Sequence, residues 1–199
     1  MSAEQSNPFQ YQRLIVAYHG CDRKVRDHIL LGKTKLKPSE KAYDWLGHGI
    51  YFWEHGMDRA MKWAEARVGG DIKEPAVLGA YLHLGHCFDL MDTRYTEVLS
   101  QTWGPFVESL KSEGKPVPRN LPGFAGDPDR VKRLRDCAML NWTLRRTEES
   151  LQQSFDTVRG AFQEGNVAFP ESMIFKESHI QISVRNPDCI LGVFLPNIE

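Results

Sequence analysis

The segment from Asp44 to Glu54, DWLGHGIYFWE, places aromatic side chains and two glycines around a short apolar run. Gly47 and Gly49 allow the backbone to turn or to approach a ligand closely. Residues 50–53 have the β-branched and aromatic character of a strand. The segment therefore predicts the floor of a ligand site, and a buried aromatic strand that ends in a turn is an alternative of equal weight.

Polar side chains in two other segments can also bind a ligand. Residues 13–19 predict a buried strand that brings His19, Gly20 and Cys21 to its carboxyl end. Residues 173–184 predict a later strand in which polar and mostly apolar side chains alternate. Its polar face consists of Glu177, His179, Gln181 and Ser183. A polar strand face must meet either water or a ligand.

A predicted helix adds a second aromatic wall. Asp58 can cap a helix that runs to about Val68, with Ala60 and Trp63 on the same side. This arrangement turns Trp63 inward, near Tyr51.

Short motifs in these segments follow one another in an informative order. They are Tyr18-His19-Gly20-Cys21, Gly47-His48-Gly49-Ile50-Tyr51-Phe52, Ala60-Met61-Lys62-Trp63-Ala64 and Lys176-Glu177-Ser178-His179-Ile180. Together they resemble the H-Y-E signature of the ADP-ribosyltransferase superfamily, of the diphtheria-toxin and poly(ADP-ribose) polymerase type. The resemblance covers residues 15–68 and 155–195, and the middle of the chain follows only by inclusion in one domain.

The resemblance implies an α+β fold, a split β-sandwich with peripheral helices. Residues 1–10 would be a flexible N-terminus, and residues 11–199 a single catalytic domain. Strands near both ends with helices between them also favour α+β. The other predicted elements are helices at 23–31, 93–111 (interrupted at Gly104-Pro105) and 129–146, a surface loop at 114–128, and strands at 76–90 (broken by Gly79 and Gly85), 155–162 and 189–195.

The resemblance also implies an enzyme that transfers one ADP-ribose from NAD to an acceptor and releases nicotinamide. Glu177 would stabilise the oxocarbenium-like ribose and polarise the nucleophile. Tyr51 and Trp63 would enclose the nicotinamide ring, and His19 would bind a ribose hydroxyl. Gly20 and Cys21 would meet the carboxamide. Cys21 departs from the family pattern of serine or threonine, and a thiol is a weaker donor.

Several alternatives remain open. Gln181, four residues after Glu177 on the same predicted face, is the main rival for the late catalytic position, and Glu171 is another. The acceptor would be a macromolecule, either protein or RNA/DNA. A non-catalytic module that binds NAD or ADP-ribose, and an NAD glycohydrolase, are the other functions. Small superfamily members are often toxins or effectors, which implies an antitoxin or immunity protein as a partner.

Composition restricts the remaining classes. The 199 residues carry a net charge of −1 with both signs mixed throughout, which favours neither a broad nucleic-acid footprint nor a membrane partner. The lack of a signal-peptide pattern predicts a cytoplasmic protein, and the scattered cysteines are interpreted as reduced thiols. Residues 33–41 form a basic loop, for which solvent exposure is favoured over contact with NAD phosphates or RNA. No metal is expected, because strand alternation would separate the possible ligands His83, His86, Cys87 and Asp89.

Overall fold

The computed structural model describes residues 10–123 and 129–197, and for residues 10–13 the backbone alone. Within these ranges the strands are β1 Gln10–Asp22, β2 Ile50–Glu54, β3 Pro75–Asp89, β4 Thr157–Phe162, β5 His179–Val184 and β6 Ile190–Phe194. The helices are α1 Arg23–Leu30, α2 Met57–Glu65, α3 Thr93–Ser112 and α4 Leu134–Leu151, with a short 3-10 turn at Pro187–Cys189. The predicted α+β class is confirmed, whereas the split β-sandwich remains a prediction.

The strands form one mixed sheet that closes on itself. β1 and β3 pair antiparallel along a long ladder from Gln10–His86 to Asp22–Pro75. β2 pairs antiparallel with both β1 and β5, and β5 pairs antiparallel with β4. β4 runs parallel to the end of β3, and β6 joins β3 antiparallel. The strands β1, β2, β5, β4 and β3 are therefore hydrogen-bonded in a ring.

Apolar side chains fill the inside of this ring and hold the helices against it. The interior cluster includes Ile15, Ala17, Ile50, Phe52, Ala80, Leu82, Leu84, Ile182 and Val184. A second cluster, in which Phe88 and Val158 of the sheet meet Tyr95 of α3 and Leu144 of α4, secures the long helices. Burial of this apolar area is the main stabilising contribution, at about 25 cal/mol per Å².

Two predicted interruptions are wrong. β3 continues through Gly79 and Gly85, because its pairing with β1 extends past both residues. α3 likewise continues through Gly104-Pro105. Phe106 is 2% exposed and packs against Trp142 of α4, and this tertiary contact offsets the hydrogen bond that proline cannot donate.

The ends of other elements also differ from the predictions. α4 begins at Leu134 instead of Asp129, since the segment before it has Arg130 at a φ of 48°, which is not helical. Gln10 opens β1, and the rest of the predicted flexible N-terminus lies outside the described residues, as do residues 124–128 of the predicted 114–128 loop. In the described part of the chain no helix is long and apolar enough to cross a membrane.

β5 is shorter than the sequence predicts. It begins at His179, so Glu177 lies in a turn before the strand and not at its start. Residues 166–176 form a separate hairpin, closed by a bridge between Val167 and Phe175. No glycine or proline separates the apolar run 173–175 of this hairpin from the alternating residues of β5, which is why one long strand was predicted.

A buried ion-pair network joins three strands of the ring. Arg159 of β4 donates from Nε to Glu54 at the end of β2 at 2.6 Å, and from Nη1 to Asp89 at the end of β3 at 3.1 Å. The three side chains are 11%, 12% and 6% exposed. Hydrogen bonding to Glu54 raises the pKa of Arg159 above its usual value, so its guanidinium is charged.

Gly49→Ala is expected to destabilise the protein by about 1–3 kcal/mol. A Cβ at Gly49 would lie 2.3 Å from Ser183 Oγ and 2.8 Å from the Val184 carbonyl oxygen, and β5 cannot retreat without loss of its pairing with β2. Urea unfolding measures the change. In Gly104→Ala the added Cβ meets no atom within 4 Å, so that variant should instead gain about 0.5–1 kcal/mol. Equal effects in the two variants would contradict the close approach at Gly49.

Candidate active site

Most of the site residues predicted from the sequence line one cavity. It has a volume of about 590 Å³, within the usual range for small-molecule sites, and lies between β1, β2, β5 and α2. Its wall contains the predicted residues His19, Gly20, Tyr51, Trp63 and Gln181. Cys21 and Glu177 are not in this wall.

His19 stands where β1 and β2 separate. The last β1–β2 pair is Tyr18–Trp53, and beyond it the ring Nδ1 of His19 bonds to the carbonyl oxygen of Tyr51 at 2.8 Å. Because a carbonyl can only accept, Nδ1 carries the proton of the neutral ring and Nε2 is an acceptor. Burial lowers the pKa of His19, and the bond to Tyr51 opposes this effect in part. His19 is therefore neutral near pH 7 and suits a ligand hydroxyl.

We expect His19 to titrate below the ordinary histidine pKa of about 6.5. As pH falls through that value, the unfolded chain takes up this proton before the folded chain does, so His19 removes stability at lower pH and has no such effect above it. An NMR titration of the histidine rings, with the His19 signal assigned from a His19→Gln variant, measures the pKa. A midpoint at or above 6.5 would contradict burial as the dominant effect.

The Tyr51 side chain is held by the turn that precedes its own strand. Its hydroxyl donates to the Gly47 carbonyl at 2.8 Å and accepts from the Leu46 N–H at 2.9 Å. Gly47 makes this turn at a φ of 75°, as the sequence predicts for a glycine at a turn. Burial raises the pKa of Tyr51 well above its usual value, so the phenol is neutral. Tyr51 thus presents a fixed aromatic ring to the cavity.

Trp63 projects from α2 and is supported on two sides. Its ring lies 5.7 Å from that of Trp53, and the Arg67 guanidinium lies 4.0 Å above it. Gly20 allows α2 to come this close, since a Cβ there would lie 2.3 Å from the Ala60 carbonyl oxygen and 3.1 Å from the Trp63 ring. Gly20 therefore lines the cavity and is also required for the close packing of α2.

Cys21 is not among the residues that line the cavity, and its contact with the carboxamide stays a prediction. β1 continues three residues past His19, and α1 covers Cys21, which packs against Ile29 and Leu78. Burial raises the pKa of the Cys21 thiol to about 11, so the thiol is protonated. Cys21 is part of the hydrophobic core.

Gln181, not Glu177, is the late-strand residue in the wall. Gln181 is 8% exposed, and its Oε1 accepts from the Trp45 indole N–H at 2.5 Å. This bond fixes the amide and leaves its N–H donors for a ligand. Glu177 is 37% exposed in the turn before β5 and binds Arg59 at 3.1 Å. Glu171, the other predicted rival, is exposed in the hairpin and lies outside the wall.

Arg59 connects Glu177 to a carboxylate that does reach the cavity. Its Nη2 donates to Glu164 at 2.6 Å, and Glu164 is in the wall with 24% of its side chain exposed. His179 lies beside them and donates from Nδ1 to the Glu177 carbonyl at 2.7 Å, which leaves Nε2 as an acceptor. Burial lowers the pKa of His179, so this second ring is also neutral.

The rim of the cavity is rich in positive charge. The cations in the wall besides Arg59 are Lys37, Lys41, Arg67 and Lys132, and the carboxylates are Asp44 and Glu164. Lys37 and Lys41 are exposed, as predicted for the 33–41 loop, and also line the cavity. A concave surface with this excess of cations attracts anionic ligands.

Sequence reasoning missed Trp45, Arg59 and Glu164. Trp45 has no assigned role in its predicted segment, and Glu164 lies outside the motifs that the sequence selects. Of these three residues, only Trp45 has a local sequence signal for a site, because it is an aromatic residue close to two glycines. Among the described residues, no group of histidine, cysteine, aspartate and glutamate could hold a metal ion.

Comparisons of the chain with protein-family models, with curated proteins and with solved structures found no match. The cavity and the order of its motifs are thus the observations from which function is inferred.

Proposed function

We propose that this protein is a mono-ADP-ribosyltransferase that uses NAD as donor and a macromolecule as acceptor. The observation that carries the proposal is the presence of His19, Tyr51, Trp63 and Gln181 in one cavity, although their segments are far apart in the sequence. The segments that contain these residues also resemble the H-Y-E signature. From the last of these segments, the wall contains Gln181 and not Glu177.

The nicotinamide ring, a ribose and the diphosphate of NAD each have suitable groups in the wall. Tyr51 and Trp63 offer aromatic surface to the nicotinamide ring, and Nε2 of His19 accepts from a ribose hydroxyl. The amide of Gln181 donates to a ribose oxygen. Lys37 and Lys41 at the rim supply positive charge for the diphosphate.

The proposed reaction breaks the bond between ribose C1′ and the nicotinamide nitrogen, and the electron pair leaves with neutral nicotinamide. The ribose develops oxocarbenium character, and it is held in place by a hydrogen bond from its hydroxyl to Nε2 of His19 and by a hydrogen bond from the Gln181 amide. The nucleophilic atom of the acceptor then bonds to C1′ and loses its proton.

Incubation of the purified protein with isotopically labelled NAD and a cell lysate tests this proposal. The expected result is release of nicotinamide together with label on protein or nucleic acid, which separation after protease or nuclease treatment identifies. Label found only in free ADP-ribose would indicate an NAD glycohydrolase.

A non-catalytic NAD-binding module is the second candidate, favoured by the neutral amide of Gln181 at the position predicted for a carboxylate. Calorimetry that detects NAD binding, combined with no release of nicotinamide in the presence of any lysate fraction, would establish this function instead. Absence of both binding and release would reject both candidates.

A further inference from the structure

We propose that Glu164 is the general base that removes the proton from the acceptor, and that Arg59 holds it in position. This inference rests on the proposed transferase function. It assigns the base to the turn after β4, whereas the motif resemblance assigned the catalytic carboxylate to Glu177.

The first argument is access to the cavity. Among the described residues the carboxylates in its wall are Asp44 and Glu164. Asp44 is engaged in its own loop, where its Oδ2 accepts from the Lys41 N–H at 2.8 Å. Glu177, on the other side of Arg59, does not reach the wall. Glu164 is therefore the carboxylate placed to meet a reacting group.

The second argument is the way Glu164 is held. Oε2 receives the Arg59 Nη2 donor at 2.6 Å, while among the described residues Oε1 takes no hydrogen bond. Arg59 is itself fixed, since its Nη1 binds Glu177 at 3.1 Å and only 14% of its side chain is exposed. One oxygen of Glu164 is thus anchored and the other is free to accept a proton.

The third argument is the balance of charge around Glu164. Burial raises the pKa of Glu164; Arg59 of α2 opposes this, and the carboxylates of Glu177 and Asp129 add to it. His179 of β5, with its Nδ1 at 3.9 Å from Oε2, is neutral near pH 7 because burial lowers its pKa. A carboxylate shifted toward neutrality in this way is a stronger base than an ordinary glutamate.

The proposed step is balanced without an additional reactant. As the C1′–nicotinamide bond breaks, a hydroxyl or amine nucleophile of the acceptor forms the new bond to C1′, and its proton passes to Oε1 of Glu164. Nicotinamide departs neutral with the electron pair, and the protonated Glu164 returns its proton to water after release.

Glu164→Gln tests the inference, with Glu177→Gln and Glu65→Gln as comparisons. Glu65 is an exposed carboxylate of α2 outside the wall, so its variant makes the same change in charge. We expect Glu164→Gln to slow transfer of labelled ADP-ribose about 10²- to 10⁴-fold with the Kd for NAD changed less than about threefold. Glu65→Gln should match the unmodified protein.

The pH profile provides the specific readout. In the unmodified protein the transfer rate should fall on the acid side as Glu164 becomes protonated, and Glu164→Gln should lack this limb. Arg59→Lys should retain more transfer activity than Arg59→Gln, because a positioning role needs the positive charge.

Results of three kinds would overturn the inference. A Glu164→Gln variant within about fivefold of the unmodified rate would reject it while leaving the transferase function intact. A greater loss of transfer rate in Glu177→Gln than in Glu164→Gln would instead assign the general base to Glu177. Absence of NAD binding and nicotinamide release in the unmodified protein would reject the transferase function, and this inference with it.

Discussion

Arg159→Met is expected to lower the free energy of unfolding by about 3–5 kcal/mol. Methionine keeps much of the apolar stem but leaves Glu54 and Asp89, which are 12% and 6% exposed, without their cation. Glu54 lies at the end of β2 and Asp89 at the end of β3. Without Arg159 of β4 between them, the repulsion of the two carboxylates would act on these strand ends. Urea unfolding at neutral pH, extrapolated linearly to water, measures the loss.

The exposed pair between Arg146 and Glu149 provides the control. Its side chains are 61% and 58% exposed, so Arg146→Gln should change stability by less than about 1 kcal/mol. A triple variant, Arg159→Met with Glu54→Gln and Asp89→Asn, should recover most of the loss because no charge is then buried alone. A loss below about 1 kcal/mol in Arg159→Met would show that water reaches the network.

Trp63→Ala is expected to raise the Kd for NAD by roughly 5- to 150-fold, equivalent to about 1–3 kcal/mol. Stacking of a flat heteroaromatic ring on an indole has this magnitude, and Trp63 is pre-positioned by Trp53 and Arg67. Isothermal titration calorimetry measures the Kd directly.

The matched control is Trp103→Ala in α3. Trp103 is 39% exposed and lies outside the cavity wall, so its removal should leave the Kd unchanged. Circular dichroism should show that both variants are folded. Equal affinities in Trp63→Ala and the unmodified protein would exclude Trp63 from the proposed nicotinamide site.

Much of the site was predictable because the signals are local. A β-branched and aromatic run marks β1 and β2, glycine at a turn marks Gly47, and helical spacing marks the inward face of α2 with Trp63. Each of these patterns depends on residues only a few positions apart, which a single sequence displays.

The late part of the site was not predictable in the same way. No glycine or proline lies between the apolar run 173–175 of the 166–176 hairpin and β5, so the sequence does not show that Glu177 belongs to a turn. The role of Glu164 depends on Arg59, 105 residues earlier, and Gln181 depends on Trp45, 136 residues earlier. Contacts over such separations are set by strand pairing, which local periodicity does not encode.

Arg59 of α2 forms ion pairs with Glu164 and Glu177, which flank the two ends of the 166–176 hairpin. These ion pairs connect the position of the hairpin to that of α2. The hairpin carries outward-facing apolar side chains, with Phe169 59% and Met173 79% exposed, and α2 carries Trp63. A macromolecule that displaces the hairpin would therefore shift the helix that carries Trp63 of the proposed nicotinamide site. Binding of this macromolecule and binding of NAD would then be thermodynamically linked, because each ligand would change the affinity of the protein for the other by the same factor.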